Sequence, residues 1–238
     1  MIAYEGPSLI NGDPIALILT SNSINAKTGT MIQSWIIPVK DNVLVNDEAV
    51  CGDCIMREGA CYVTKVFAPS NVQKSYRAGK YKAFQSSDLR HEILRIGSWG
   101  DPAAVPADIW LNLLRRTQLS DKYTGYTHQW RTCDPIFATF CMASVETLED
   151  AKLAQSMGYS TFRVKEAYEP KQPNETLCLN QTIGITCKQC LLCNTSSGDI
   201  AIDVHGTNRT VNKYREIRLT LSTTERTDDT SHINKGSD

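Results

Sequence analysis

Two groups of cysteines carry the spacing of metal or iron–sulfur ligands. The first group is Cys51, Cys54 and Cys61, and the second is Cys178, Cys187, Cys190 and Cys193. Four thiolates saturate a metal centre, whereas three leave one coordination position open. An open position is where a cofactor, a substrate or a water can react. The sequence therefore predicts one closed centre and one centre capable of chemistry.

The second group has the sharper spacing. Its Cys-x2-Cys-x2-Cys run, Cys187 to Cys193, is similar to the cysteine run of bacterial ferredoxins, while structural zinc sites more often use two separate Cys-x2-Cys pairs. We expect one or two [4Fe–4S] clusters, with zinc as the alternative. Some of the cysteines can instead pack as small apolar side chains, which is the role we expect for Cys133 and Cys141.

Composition narrows the class of protein. The chain has 238 residues, 41% of them hydrophobic, and 25 basic against 26 acidic residues, so no global charge recruits nucleic acid or an anionic membrane. An odd number of cysteines, nine, suits a reducing compartment. The N-terminus has no signal-peptide pattern, and no apolar run is long enough to span a bilayer. We expect a soluble cytoplasmic protein, and the oligomeric state is left open.

Apolar patterning predicts alternating strands and helices from residue 31 onward. Strands are predicted at 31–38, 93–97, 123–128, 137–145, 161–164 and 200–204. Helices are predicted at 106–114, 147–157 and, with an interruption at Gly79, within 71–84. This order favours an α/β fold, either a partial barrel of six βα units or an open parallel sheet, with cysteine-rich metal-binding loops.

Three segments are predicted along the chain. Residues 1–30 are rich in turn-forming residues and are expected to be loop-dominated, with one apolar run at 15–19. Residues 31–221 form the α/β metal-binding domain. Residues 222–238 are polar and charged, and we expect a disordered tail.

Polar residues follow several predicted strands, where ligands bind in parallel α/β folds. They are Trp99, Gly100 and Asp101, then His128, then Arg163 and Lys165, and finally Asp203 and His205. Asp101 can act in catalysis or simply cap the turn before Pro102. His128 and His205 are candidates for general acid–base groups, for the missing fourth ligand of the first cysteine group, or for core histidines.

Several of these motifs together resemble an uncharacterised family of bacteriophage proteins, the gene-product-88-like family. The motifs include Thr28-Gly-Thr30, Cys51-Gly-Asp-Cys54, Gly100-Asp-Pro102, Gly125-Tyr-Thr-His128 and Val204-His-Gly206, and the match covers about residues 28–206. The resemblance implies a viral gene and hence the host cytoplasm. It implies little about the reaction.

A second resemblance is architectural, to the radical S-adenosylmethionine enzymes. Their six-unit partial barrel carries three cysteines in the loop after its first strand, an aromatic residue beside the last of them, and a glycine–acidic motif after the second strand. Here Tyr62 follows Cys61, and Gly100-Asp101 follows the second predicted strand. The loop spacing differs, being Cys-x2-Cys-x6-Cys here against the usual Cys-x3-Cys-x2-Cys.

That resemblance implies a reactive cluster on the first cysteine group and an auxiliary cluster on the second. S-adenosylmethionine would lie near Tyr62, Trp99, Gly100, Asp101 and Arg163, and a nucleotide or another small molecule, such as a short peptide, would be the substrate. The alternative is a non-catalytic zinc protein that binds a host or viral partner. A zinc-dependent hydrolase, with His128 or Asp101 as the acid–base group, is a third hypothesis.

Overall fold

The computed structural model describes residues 1–21, 25–118 and 122–231, of which 58, 86 and 222–231 are described by their backbone alone. Contacts divide the chain into two compact units. The first comprises residues 1–54 and 63–203, and the second comprises residues 55–62 and the chain from 204 onward. Among the described residues, no helix is long and apolar enough to cross a membrane.

The first unit is built on a nine-stranded sheet with the order β1-β2-β3-β4-β5-β6-β7-β9-β8. The strands are β1 (Ile2–Pro7), β2 (Pro14–Thr20), β3 (Ile32–Pro38), β4 (Leu94–Trp99), β5 (Tyr123–Thr127), β6 (Met142–Val145), β7 (Thr161–Lys165), β8 (Glu175–Leu177) and β9 (Asp199–Asp203). Pairing is antiparallel from β1 to β3 and parallel from β3 onward. The expected α/β class is confirmed, with an open sheet that is mostly, not wholly, parallel.

The six predicted strands all overlap observed ones, but the strand predicted at 137–145 begins too early. The segment predicted as a strand at 137–145 begins as a 3-10 helix, Pro135–Thr139. The reason is local: the Asp134 side chain accepts a hydrogen bond from the Ile136 N–H, and Pro135 supplies a helix-compatible φ. Only Met142–Val145 joins the sheet.

The N-terminal segment contains more regular structure than its composition indicated. The predicted apolar run at 15–19 forms the interior of β2 and is completely buried, because β2 lies between β1 and β3. The half-buried strand β1 was not predicted, since its residues show no clear alternation. The segment therefore contains two strands, where one was expected within a loop-dominated entry.

Helices follow the parallel strands. They are α1 (Glu48–Cys51), α2 (Ala68–Arg77), α3 (Ala107–Thr117), α4 (Leu148–Ser156), α5 (Leu179–Ile183) and α6 (Cys187–Cys190), with α7 (Asn208–Ser231) in the second unit. Thr147, the first residue of the helix predicted at 147–157, instead caps α4 by accepting from the Asp150 N–H. The short helices α5 and α6 were not predicted.

Two apolar clusters cover opposite faces of the sheet. Ala143 belongs to the main cluster, which includes Trp110 of α3 and Ala151 of α4. Its neighbour Met142 belongs to a smaller cluster with Phe162 and Ile200. Successive strand residues point to opposite faces, so the two clusters lie on different sides. The smaller cluster is covered by cysteine-bearing chain, since Cys178, Leu192 and Cys193 pack against it.

The second unit is small. It contains a 3-10 helix, Ile55–Glu58, and α7. The Tyr62 and His205 rings stack with centroids 5.5 Å apart. Helix α7 includes residues 222–231, the first part of the predicted disordered tail, and 232–238 lie outside the described residues.

The turn after β4 requires glycine. Gly100 has φ +81°, and an added Cβ would stand 2.7 Å from the Ile36 Cβ and 2.8 Å from the Ile36 carbonyl oxygen of β3. Both the left-handed backbone and the close approach exclude other residues. Gly100 is thus explained by packing of β4 against β3.

We expect Gly100→Ala to destabilise the fold more than Gly158→Ala does. Gly158 also has a positive φ, +90°, but an added Cβ there meets nothing within 4 Å. Gly158→Ala should cost about 1–2 kcal/mol for the left-handed conformation. Gly100→Ala should cost about 1–3 kcal/mol more for the clash. Urea unfolding measures both, and equal losses would contradict the packing explanation.

Candidate functional site

The predicted cluster of polar groups at the strand ends is partly present. β4, β5 and β6 are consecutive parallel strands, and they are followed by Asp101, His128 and Glu146 respectively. The structure brings these three together at one edge of the sheet, through contacts described below. Asp101 and His128 were predicted, whereas Glu146 was not.

Asp101 is fully engaged by protein donors. Its Oδ1 accepts from the Thr127 hydroxyl at 2.7 Å and from the Ala103 N–H at 3.0 Å, and its Oδ2 accepts from the His128 N–H at 2.7 Å. Burial raises the pKa of this carboxyl, and the three hydrogen bonds oppose that rise. This arrangement favours the capping role for Asp101. Its carboxylate also links the end of β4 to the end of β5.

His128 lies against Glu146. The Nε2 atom of His128 is 3.4 Å from Oε1 of Glu146, both atoms are buried, and the imidazole also has a hydrogen-bond contact with the Cys54 side chain. Burial disfavours the imidazolium, but the charges of Cys54 and Glu146 outweigh burial and raise the pKa of His128 well above 6.5. A histidine, a carboxylate and a thiol therefore act on one another at this edge.

Cys51 and Cys54 lie in a loop that is tied to the segment after β5. The Cys54 N–H donates to the Cys51 carbonyl at 3.1 Å. The Gln129 side-chain amide donates to Asp53 Oδ1 at 2.8 Å and to the Cys51 carbonyl at 3.3 Å. Gln129 belongs to the candidate stretch Tyr126–Trp130 at the end of the third predicted strand, and it holds this cysteine loop beside His128.

The remaining residues of the first group belong to the second unit. Cys61 donates its N–H to the Met56 carbonyl at 2.8 Å, and Tyr62 is next in sequence and stacks on His205. Cys51 and Cys54 belong to the first unit. The assignment of Cys61 to a shared centre stays a prediction, as do the roles proposed for Tyr62 and His205.

The four cysteines of the second group line one pocket. Its other lining residues are Thr124, Leu179, Asn180, Leu191, Leu192 and Ile200, so the lining is largely apolar apart from the thiols. Thr124 and Ile200 are each the second residue of their strand, β5 and β9. The pocket therefore lies toward the beginning of the strands, away from His128 and Glu146.

Backbone hydrogen bonds hold the cysteine segment against the sheet. The Gly125 N–H of β5 donates to the Cys193 carbonyl at 3.2 Å, and the Cys178 N–H donates to the Ala201 carbonyl of β9 at 2.8 Å. The Cys187 N–H donates to the Lys27 carbonyl at 2.9 Å. Three cysteines are thus positioned by separate parts of the first unit, which explains how residues far apart in sequence meet.

The pocket is electrostatically unfavourable for four thiolates without a cation. Burial, together with the charges of Cys178, Cys187 and Cys190, raises the pKa of Cys193 to about 12, although the Tyr126 hydroxyl opposes the rise. Burial also raises the pKa of Cys187, and Arg95 opposes that rise. A metal centre would supply the missing positive charge, so this donor set fits a thiolate-preferring metal.

All nine cysteines, each within the described residues, are free thiols. In the described part of the chain, no group of three or more His, Cys, Asp or Glu side chains is already arranged to coordinate a metal ion. The four cysteines of the second group thus share one pocket, but they do not form a coordination shell. Cys141 is completely buried in the main core, and Cys133 is half-buried with Sγ 3.4 Å from the Tyr159 hydroxyl.

Two other candidates for cofactor binding have structural partners. Trp99 is buried in the main apolar cluster. Arg163, with its side chain 2% exposed, donates through Nε and Nη2 to the two carboxylate oxygens of Glu175 at 2.6 and 2.7 Å. Its Nη2 also donates to the Pro170 carbonyl. The guanidinium ties β7 to the start of β8, and Lys165 likewise pairs with Asp203 of β9.

Comparison of the chain with protein families, with curated proteins and with solved structures finds no match. The two resemblances seen in the sequence therefore stay predictions. What supports a function is the arrangement of the residues themselves.

We expect Arg163→Met to destabilise the fold by about 3–5 kcal/mol, because it leaves the buried Glu175 carboxylate unpaired. The double variant Arg163→Met with Glu175→Leu should recover a large part of that loss. Arg131→Met serves as a control, since Arg131 pairs with Asp150 on the surface, where an ion pair contributes about 1 kcal/mol or less. Denaturant unfolding measures all three. An Arg163→Met variant as stable as the control would point instead to a ligand-binding role.

Asp101→Asn should cost about 1–3 kcal/mol, because the new amide group would place a donor against one of the three donors that Asp101 accepts. Asp134→Asn is the matched control. Asp134 caps an exposed 3-10 turn with a single hydrogen bond, and asparagine caps as well as aspartate. Thermal unfolding distinguishes them, and equal melting temperatures for the two variants would argue against a structural role for Asp101.

Proposed function

We propose that this chain is an iron–sulfur protein whose principal cluster is held by Cys178, Cys187, Cys190 and Cys193. The observation that supports the proposal is the convergence of these four thiols on one largely apolar pocket. Partial burial and neighbouring cysteine charges raise the pKa of Cys187 and of Cys193, and a cation would neutralise these thiolates. An apolar surround also shields a cluster from solvent, which is one of the factors that sets its reduction potential.

Spacing favours iron–sulfur over zinc. The Cys187 to Cys193 run has the ferredoxin-type spacing, whereas structural zinc sites more often keep two pairs apart. Zinc is the second candidate, because four thiolates also form a closed tetrahedral zinc site. In that case the protein is a non-catalytic zinc protein that binds a host or viral partner.

The finer form of the proposal is a radical S-adenosylmethionine-like enzyme of bacteriophage origin, built on a partial βα barrel. Cys51, Cys54 and Cys61 would then hold a second [4Fe–4S] cluster with one iron open to S-adenosylmethionine, and the C-terminal cluster would be auxiliary. The loop with Cys51 and Cys54 lies at the edge where the strands β4 to β6 end, which is where parallel α/β folds bind ligands. A nucleotide or small peptide substrate in the host cytoplasm is part of this form.

Four of the residues predicted to contact S-adenosylmethionine do not support this form of the proposal. Trp99 is in the core, Gly100 is required by packing against Ile36, and Arg163 is paired with Glu175. The Asp101 oxygens are occupied by three protein donors. Support for a reaction at this edge therefore comes from the cysteine loop and His128.

Anaerobic purification of the full chain, followed by metal and sulfide analysis and a visible spectrum, tests the proposal. We expect iron, inorganic sulfide and a broad brown absorption that dithionite bleaches. Zinc without iron would overturn the iron–sulfur proposal and support the zinc candidate. A protein that binds neither metal would overturn both.

Replacing Cys190 by Ser should remove one centre and lower the melting temperature, since three buried thiolates then lack their full ligand set. Cys133→Ser is the matched control, because Cys133 is also half-buried but is absent from the four-cysteine pocket. The control should keep its metal content. A Cys190→Ser variant with full metal and an unchanged melting temperature would show that the second group is not the ligand set.

A further inference from the structure

Cys51 and Cys54 are the first and last residues of a tight turn at the end of α1. The Cys54 N–H donates to the Cys51 carbonyl at 3.1 Å, and Gly52 has φ 56° and ψ −134°. These angles match the first central residue of a type II′ turn, whose first and fourth Cα atoms lie within about 7 Å of each other. A disulfide needs Cα atoms about 4.4–6.8 Å apart. The turn therefore keeps its two thiols within reach of a disulfide.

The segment after β5 holds this turn in place. The Gln129 side-chain amide donates to Asp53 Oδ1 at 2.8 Å and to the Cys51 carbonyl at 3.3 Å. An added Cβ on Gly52 would stand 2.9 Å from Nε2 of Gln129, so the turn packs directly against that amide. Holding two reacting groups in one place raises the effective concentration of each at the other. Ring closure between the two sulfurs therefore costs little conformational entropy.

The two cysteines of the turn have different surroundings. Cys51 is partly buried and packs against the main apolar cluster. Cys54 has a side-chain hydrogen-bond contact with the His128 imidazole, which also contacts Glu146, with Nε2 3.4 Å from Oε1. A thiol beside a base that a third group orients is the arrangement that activates a nucleophile. Cys54 is thus placed to attack, and Cys51 is placed to resolve the product.

The location of the pair also differs from that of the second cysteine group. The Cys-x2-Cys pairs of that group line a largely apolar pocket, and the described residues of its lining include no histidine. Cys51 and Cys54 lie instead at the edge where β4 to β6 end, which is where parallel α/β folds bind ligands. A Cys-x-x-Cys pair beside a βαβ pattern is typical of thiol–disulfide redox proteins.

We infer that Cys51 and Cys54 form a redox-active dithiol that reduces disulfide substrates, with His128 as its acid–base group. In the described part of the chain, no three Cys, His, Asp or Glu side chains are grouped to hold a metal ion, whereas a disulfide needs only the two sulfurs of this turn. The inference is independent of the four-cysteine centre. It excludes a second iron–sulfur cluster on Cys51, Cys54 and Cys61.

The reaction is a two-step exchange. The imidazole takes the Cys54 proton, and the thiolate attacks one sulfur of the substrate disulfide. A mixed disulfide forms with that half, while the other half leaves as a thiolate and takes the proton back from His128. Cys51 then attacks the Cys54 sulfur, and its proton goes to the second leaving thiolate. The protein loses two electrons and two protons, and the substrate becomes two thiols. Glu146 is a positioning residue, because its carboxylate orients and stabilises the imidazolium.

Incubation of the full chain with oxidised glutathione, followed by tryptic digestion and mass spectrometry, tests the dithiol. Cleavage after Lys40 and Arg57 releases residues 41–57, whose only cysteines are Cys51 and Cys54. We expect this peptide to lose two hydrogens. Cys51→Ser should keep glutathione bound to Cys54, since the resolving thiol is absent, and Cys54→Ser should gain none. Insulin in place of oxidised glutathione shows whether a protein disulfide or a small one reacts faster.

The rate of this oxidation tests the imidazole. His128→Asn should slow it by about 100-fold, the lower end of what a positioned acid–base group contributes. His91→Asn is the matched control, because His91 is exposed and precedes β4 at the other end of the strands. If His128→Asn does not fold, Glu146→Gln should be about tenfold slower than Glu149→Gln, which changes an exposed carboxylate on α4. Glu146→Asp should recover part of the rate.

Three results would overturn the inference. The first is a 41–57 peptide that stays a dithiol at every concentration of oxidised glutathione. The second is an equal oxidation rate in His128→Asn and His91→Asn. The third is a pair of thiols that reacts only after a chelator has removed a bound metal, which would assign both sulfurs to the three-cysteine centre.

Discussion

The buried carboxylate of Asp101 fixes the geometry of the strand-end edge. It accepts from Ala103 just after β4 and from both Thr127 and His128 at the end of β5, so it joins two neighbouring strand ends through three hydrogen bonds. Such a carboxylate is stable in the interior only while all three donors are in place. The position of the His128 ring, and hence its distance from Glu146, depends on this link.

The segment from Cys178 to Cys193 is subject to a different constraint. Its backbone is bound to β5 and β9, so the four thiols are held near one another whatever their charge. Burial and the charges of neighbouring cysteines both raise the pKa of Cys187 and of Cys193, so without a cation the thiolate form of these two is disfavoured. The segment also covers the smaller apolar cluster with Leu192 and Cys193. A metal bound in this pocket would therefore also stabilise the fold of this part of the chain.

Strand positions could be predicted from the sequence because buried strands contain runs of apolar residues. The interior of β2 and residues Ile36 and Ile37 of β3 are examples. The partner of a buried side chain could not be predicted from the sequence. Arg163 was assigned to a cofactor because it sits on a strand, yet Glu175 takes its guanidinium from β8, a strand too short to give a pattern.

Glu146 is a residue of the candidate site that could not be predicted from the sequence pattern. It lies between the last residue of β6 and the N-cap of α4, where an acidic residue is normally explained by the helix dipole. Nothing in the sequence says that its carboxylate turns toward His128. The available clue was topological: β5 and β6 are consecutive and parallel, so the residues following them end at the same edge.

The two candidate centres are separated by the length of a strand. Thr124 lines the four-cysteine pocket, and His128 stands four residues further along the same chain segment, about 13 Å away at 3.3 Å per residue. Metal–ligand bonds of about 2.0–2.3 Å are far shorter than this, so no side chain can serve both centres. If the pocket holds a centre closed by four thiolates, that centre would stabilise the fold or carry electrons. A reaction with a substrate would then be expected at the other end of the strands, beside His128 and Glu146.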